Sequence, residues 1–276
     1  MKPPTTGGGG GFTVKPPTTG GGGGVDCFSS VNQVHVRGKG QIRMDELRVG
    51  DFVADSLDGT FSRVYSMAHV DSFKPTMFLQ IYAEGLQQPL EVSKSHLLFV
   101  SNKAVMASQV KIGDVLGSRH EVLDIQLVHR AGIYNPLTFS GTIVVNGIVA
   151  SNYVGLLSEV SFDLQHIAAH MITSPVRVFC SGMFGHFCQN ETHDATGISS
   201  WIELPLRLAV QLNSSVMAPG FMQVVVACLV FAAVSPFLAL SVCAEHASSF
   251  LGQCVVAVLS CLVCFFWRRK GDRKTP

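Results

Sequence analysis

Charge is scarce in this sequence. Lys, Arg, Asp and Glu make up 14% of the 276 residues and cancel to a net +1. A chain so nearly neutral gives no electrostatic reason to expect nucleic acid as a partner. Cysteine is missing from most of the body: after Cys27 none occurs before Cys180. That gap rules out a disulfide framework for the intervening chain, and leaves Cys180 and Cys188 to pair only if the compartment is oxidising. The amino end also lacks the charged stretch and apolar stretch of a signal peptide.

What is present falls into unlike parts. Residues 1–26 contain KPPTTGGGGGFTV followed by KPPTTGGGGG, with no apolar periodicity to bury, which is the composition of a flexible linker. A linker in that place implies a segment upstream, so the expectation is a piece of a longer precursor. At the other end, within 220–276, Phe221 to Cys243 and Ala247 to Trp267 are nearly charge-free. Each is close to the ~20 residues a helix needs to cross a bilayer. Trp267 followed by Arg268, Arg269 and Lys270 resembles an interfacial anchor and a cytoplasmic flank. The tail accounts for the mean hydropathy of +0.34. It predicts a membrane protein of the secretory pathway, with the body on the side of the basic flank if both runs span and on the opposite side if one does.

Between these ends, VHVR, FSRVYSMAHV, MFLQIYA, HLLFV, EVLDIQLVH and GTIVVNGIVA show alternation of period two and β-branched enrichment. The region 27–156 therefore reads as all-β. MDELRVGDFV at 44–53 is echoed by ASQVKIGDVL at 107–116. In both copies a glycine, Gly50 or Gly113, suits a turn that a β-carbon obstructs, and Asp51 or Asp114 is placed to bond the turn backbone. Either these are two unrelated turns or the fold is built from two similar halves, and the second reading is favoured. Residues 157–219 mix helical spacing, as in SFDLQHIAAHMI, with loops, and hold the acceptor triplets Asn190-Glu191-Thr192 and Asn213-Ser214-Ser215.

Cys27 sits at the seam between linker and fold. A lone cysteine is usually a small buried apolar residue, but here the peptide bond before it emerges at a domain edge, which suits chain cleavage. Cys27-Phe28-Ser29 before a strand, PLEVSKSHLLFV at 89–100 and GTIVVNGIVASNY at 141–153 together resemble the hedgehog-type Hint domain, the self-processing module that shares its fold with inteins. The resemblance implies an all-β, pseudo-two-fold Hint fold over 27–156. A helical sterol-recognition-like region, 157–219, and the membrane segments follow.

It also implies an activity and its residues. Cys27 is the nucleophile, and the bond broken is Asp26-Cys27. Ser93-Lys94-Ser95-His96 matches the family's Thr-x-x-His with serine for threonine, a change that keeps the hydroxyl. An amide nitrogen leaves only when protonated, and imidazole titrates near neutrality, so His96 is the expected acid. Ser93 is expected to orient the scissile group or hydrogen-bond it. No cationic partner for the thiol is identifiable. SMAHVDSF at 66–73 looks like the segment holding the family's second-step aspartate, which points to Asp71. The resulting thioester is opened by a sterol-like alcohol or by water. The implied substrate is the chain's own upstream polypeptide, with membrane lipid or sterol as partner, and no metal or other cofactor is called for.

The plain alternatives are a satisfied core histidine for His96 and a solvated loop residue for Asp71. Two departures stand out. Asp26 replaces the glycine of animal hedgehogs, adding bulk and charge at the scissile carbonyl. Asn152 replaces a cysteine, leaving a contact on the last core strand. Asn152-Tyr153 lacks the nucleophile that ends an intein, which disfavours splicing. The rival reading is an inactive, membrane-anchored Hint-like module with a structural or interaction role; a third makes the membrane spans the functional part.

Overall fold

The computed structural model of the chain describes residues 27–155, 160–181, 186–203 and 207. The linker 1–26, with the scissile Asp26, and both apolar runs of 220–276 lie outside the described residues. Among those described, no helix is long and apolar enough to cross a membrane.

Twelve strands form in chain order: β1 (Phe28–Ser29), β2 (Gln33–Val36), β3 (Gly40–Arg43), β4 (Phe52–Ala54), β5 (Phe61–Ala83), β6 (Leu90–Val92), β7 (His96–Val100), β8 (Lys103–Met106), β9 (Val115–Leu116), β10 (His120–Thr138), β11 (Thr142–Val145) and β12 (Ile148–Val154). They bond in the order β11-β12-β7-β9-β10-β1-β6-β5-β4-β2-β3, with β8 on β7. Further pairings of β11 with β2 and β10 with β5 fold the sheet back on itself. The expected all-β architecture holds. Its detail differs from the sequence reading at two places. FSRVYSMAHV and MFLQIYA are one continuous strand, β5, because β10 pairs with it from Ala83 back to Val64 through several register shifts. GTIVVNGIVA is a hairpin rather than a single run: Asn146 (φ 50°) and Gly147 (φ 87°) form the tight turn joining β11 to β12.

The sequence echo is a structural repeat. Met44–Glu46 and Ala107–Gln109 are both 3-10 turns. Gly50 and Gly113 follow at φ 98° and 88°, where a side chain is strained. The Asp51 carboxylate accepts from Arg48 N at 3.1 Å, and Asp114 from Lys111 N at 2.8 Å. Gly50 N then donates to Val64 O while Val64 N donates to Asp51 O, and Gly113, Val122 and Asp114 repeat that pair of bonds, all at 2.8 Å. Each turn therefore delivers the chain onto one of the two long strands, β5 or β10, at an equivalent point.

The main core gathers apolar faces from both halves: Phe28, Val34, Val53, Val64, Leu98, Leu116, Val122, Ile143 and Ile148 are all buried. The expected helical region starts with α1 (Phe162–Ile172) and α2 (Ser174–Ser181). A disulfide joins Cys180 to Cys188. With Tyr65, Ala68, Leu137, Tyr153 and Ile202 these two cysteines form a second core, which welds the region to β5, β10 and β12.

Candidate active site

Cys27 is the first described residue of the fold and is fully buried, packed with Phe78 and Ile133. Strand pairing fixes what surrounds it. Phe28 pairs with Tyr134 and Ser29 with Ile133, so one step back along the chain the register sets Cys27 beside Asn135 of β10. Asn135 in turn pairs with His69 of β5. β1 itself is held by Glu91, whose buried carboxylate accepts from Ser29 Oγ at 2.7 Å and forms an ion pair with Arg130 at 2.8 Å.

The Ser93–His96 turn is tied to Cys27. Ser93 N donates to the Cys27 carbonyl at 3.0 Å, and His96 N donates back to Ser93 O at 3.3 Å. The His96 ring lies 4.3 Å from that of Phe28, the residue after the cysteine. Its Nε2 is 2.7 Å from the Ser151 carbonyl of β12. A carbonyl oxygen only accepts, so Nε2 carries a proton, and the neutral ring has its exchangeable position at Nδ1. The Ser93 hydroxyl is buried with no hydrogen-bond partner among the described residues, a costly state that functional sites tolerate more than cores do.

Within reach of the sulfur stands a residue that sequence reasoning passed over. His69 Nδ1 is 3.4 Å from Cys27 Sγ, and His69 Nε2 is 2.9 Å from the Thr196 carbonyl. By the same donor argument Nε2 bears the proton, so the neutral ring turns its Nδ1 lone pair to the thiol. Such a pair can take the thiol proton and leave a thiolate beside an imidazolium. The signal was within the segment already singled out, SMAHVDSF, two residues before Asp71. Strand alternation puts both on one face; what separates them is that residues 197–199 cover β5 at His69, which is buried, while Asp71 lies beyond that cover and is partly exposed.

Asp71, partly exposed on the same strand, is held by its own backbone. Its Oδ1 accepts from Phe73 N at 3.1 Å and Lys74 N at 3.0 Å, shaping the exposed stretch of β5. Asn152 is buried on β12, where its Nδ2 donates to Thr138 Oγ1 at 2.9 Å, a bond between β12 and the end of β10. The structure thus brings Cys27, Ser93 and His96 together with His69, and sets Asp71 and Asn152 on contacts of their own.

The family model described as the Hint module matches residues 22–214 of this chain. Warthog protein 4 of Caenorhabditis elegans is 31% identical over 153 residues, covering 45% of this chain and 27% of that protein. Sonic hedgehog protein of Xenopus laevis is 28% identical over 171 residues, covering 55% of this chain and 37% of that one. The chain thus spans well under half the length of either curated relative. Among solved structures, that of the gp41-1 intein aligns with 46% of this chain and 99% of its own, at 16% identity and a TM-score of 0.38. With the family match extending over more than half of its length, the chain belongs to the Hint family and is of its hedgehog type.

Proposed function

We propose that the chain processes itself by an N-to-S acyl shift at the Asp26-Cys27 bond. The carrying observation is the 3.4 Å contact between Cys27 Sγ and His69 Nδ1, made beside a turn that binds the Cys27 carbonyl. The Cys27 thiol gives its proton to His69, and the thiolate attacks the Asp26 carbonyl carbon. The carbon–nitrogen bond breaks as His96, in its imidazolium form, protonates the departing Cys27 nitrogen. Ser93 Oγ donates to the charge that develops at the scissile group. The product is a thioester to Cys27 and a free amine on the same residue. A sterol-like alcohol or water then attacks the thioester and gives its hydroxyl proton to His96, left neutral by the first step, while the departing thiolate recovers its proton from His69.

The upstream polypeptide is the substrate in this reading, and the apolar tail holds the module at a membrane that supplies the alcohol. The disulfide and the exposed Asn190 within an acceptor triplet support a lumenal setting in the secretory pathway. The rival, an inactive structural module, draws support from the complete burial of the Cys27 side chain.

The test uses the full chain, treated with hydroxylamine, which opens thioesters without reducing disulfides. Intact mass should show release of residues 1–26. Cys27→Ala should abolish release, and His96→Ala should slow it about a hundred-fold or more. A chain that stays whole under every nucleophile would favour the rival. A tagged sterol in vesicles, found esterified to the released segment, would select transfer over hydrolysis.

A further inference from the structure

The stretch that touches His69 from outside the β-domain, residues 191–199, is a tight turn closed on itself by the His193–Ser199 bridge, with its second limb, 197–199, laid along β5. On its inner side, β5 pairs His69 with Asn135 and Val70 with Tyr134 of β10. On its outer side, Val70 N donates to Gly197 O at 2.8 Å and Ser199 N donates to Ala68 O at 3.0 Å, with His69 bridged to Ile198. Side chains fasten this turn at both ends. The Glu191 carboxylate accepts from Ser66 Oγ, Ser199 Oγ and, at 2.7 Å, Met67 N. Asp194 Oδ1 accepts from Thr196 N, Thr196 Oγ1 and Ile198 N at 2.7–2.9 Å, which curls the stretch so that the Thr196 carbonyl meets His69 Nε2. Those bonds hold the exposed Asp194 carboxyl below its ordinary range.

The approach is too close for a side chain at position 197. Gly197 has φ 83°, and a Cβ there would stand 2.5 Å from Val70 O and 2.9 Å from His69 Cδ2. A glycine is needed for the backbone to lie directly on the histidine.

We propose that residues 191–199 are a positioning element of the cleavage site: the Thr196 carbonyl fixes the Nε2–H tautomer of His69 and so keeps the Nδ1 lone pair on the Cys27 thiol. The same carbonyl then stabilises the imidazolium formed when the thiol gives up its proton. The β-domain alone therefore holds the nucleophile, while the chain that follows it completes the base. This inference rests on the acyl-shift reading, and the two are separable by experiment.

The full chain is followed in hydroxylamine without thiol reductant, alongside Asp194→Ala, Asp194→Asn and Gly197→Val. The His69 tautomer is read from imidazole nitrogen-15 shifts in a Cys27→Ala background, assigned by difference from His69→Gln. The parent ring should carry its proton on Nε2. Asp194→Ala and Gly197→Val should slow release of residues 1–26 by about ten- to a hundred-fold, the scale of one hydrogen bond to a charged group, and should mix the two tautomers. Asp194→Asn, which keeps an acceptor oxygen, should restore both. Variants that cleave at the parent rate, or a parent ring protonated on Nδ1, would overturn the proposal. A parent that releases nothing while its ring is protonated on Nε2 would overturn the acyl-shift reading, and with it the positioning role in cleavage, leaving the Thr196 carbonyl as a structural contact of His69.

Discussion

At the scale of single residues, the site divides into groups that hold and groups that wait. Glu91 and Asn152 make their bonds now, within the folded chain. Ser93 Oγ makes none among the described residues, though it is buried. A buried hydroxyl without a partner costs stability, so removing it is neutral or favourable to folding. The same hydroxyl donating to the scissile group is worth much more in the transition state than in the ground state. Ser93→Ala should therefore lower hydroxylamine-driven cleavage about a hundred-fold while leaving the melting temperature unchanged or slightly raised. Ser93→Thr should retain activity. A parallel loss of stability and activity would mean the hydroxyl is structural.

The grouping of Ser93 and His96 around Cys27 was legible in the sequence because these residues lie in short local patterns, a cysteine at a composition boundary and a Ser-x-x-His turn. His69 was not, because its role depends on a pairing with Asn135 across β10 and on a carbonyl 127 residues away. Asp71 was read for a catalytic group because a carboxylate in a named segment attracts that reading; whether it bonds backbone amides or a substrate depends on the local curl of β5, which residue type does not encode.

At the scale of elements, the repeat was visible because turn chemistry is local. A glycine at positive φ followed by an aspartate that caps the turn recurs wherever the same backbone is needed, and both copies feed a long strand. Helix α1 was visible as periodicity, but its attachment was not. Asp163 accepts from Ala104 N at 2.7 Å, His166 Nδ1 meets Ser151 Oγ at 2.8 Å, and His170 Nδ1 meets Tyr153 OH at 2.8 Å. Ser151 thus touches two histidines, His96 through its carbonyl and His166 through its hydroxyl. Burial pushes the His166 pKa below its ordinary 6.5, with Asp163 opposing in part. The folded state therefore binds this proton less readily than the unfolded state does. The His166 contribution is fully present above about pH 6.5 and is lost as pH falls toward the lower folded value. Amide exchange in α1 should accelerate between pH 7 and pH 5.5 relative to the strands, and His166→Gln should flatten that difference. Protection that rises on acidification would contradict the sign.

At the scale of the whole molecule, the two histidines assigned to the proposed reaction are buttressed from opposite directions. The β12 backbone holds His96, and the post-domain stretch holds His69. That stretch is short, and the main core does not reach it. Besides its bonds to β5, what anchors it is the second core around Tyr65 and Ile202, the Arg63 guanidinium on the Cys180 carbonyl, and the disulfide to Cys188, which lies just before the 191–199 turn. Closing a loop of this size removes chain entropy worth about 2–3 kcal/mol from the open state. Changing both Cys180 and Cys188 to serine should destabilise the segment by about that amount, seen as faster amide exchange across residues 191–199 with little change in β7 or β12. The cleavage rate should fall with it, since each opening releases the Thr196 carbonyl from His69 and lets the ring lose its orientation toward the thiol. A chain made in a reducing compartment would then fold its β-domain yet cleave slowly, and gain full activity only where the disulfide forms. Cleavage at the parent rate in the double-serine chain, with exchange across 191–199 unaltered, would show instead that the strand pairing to β5 and the Glu191 carboxylate suffice without the covalent link.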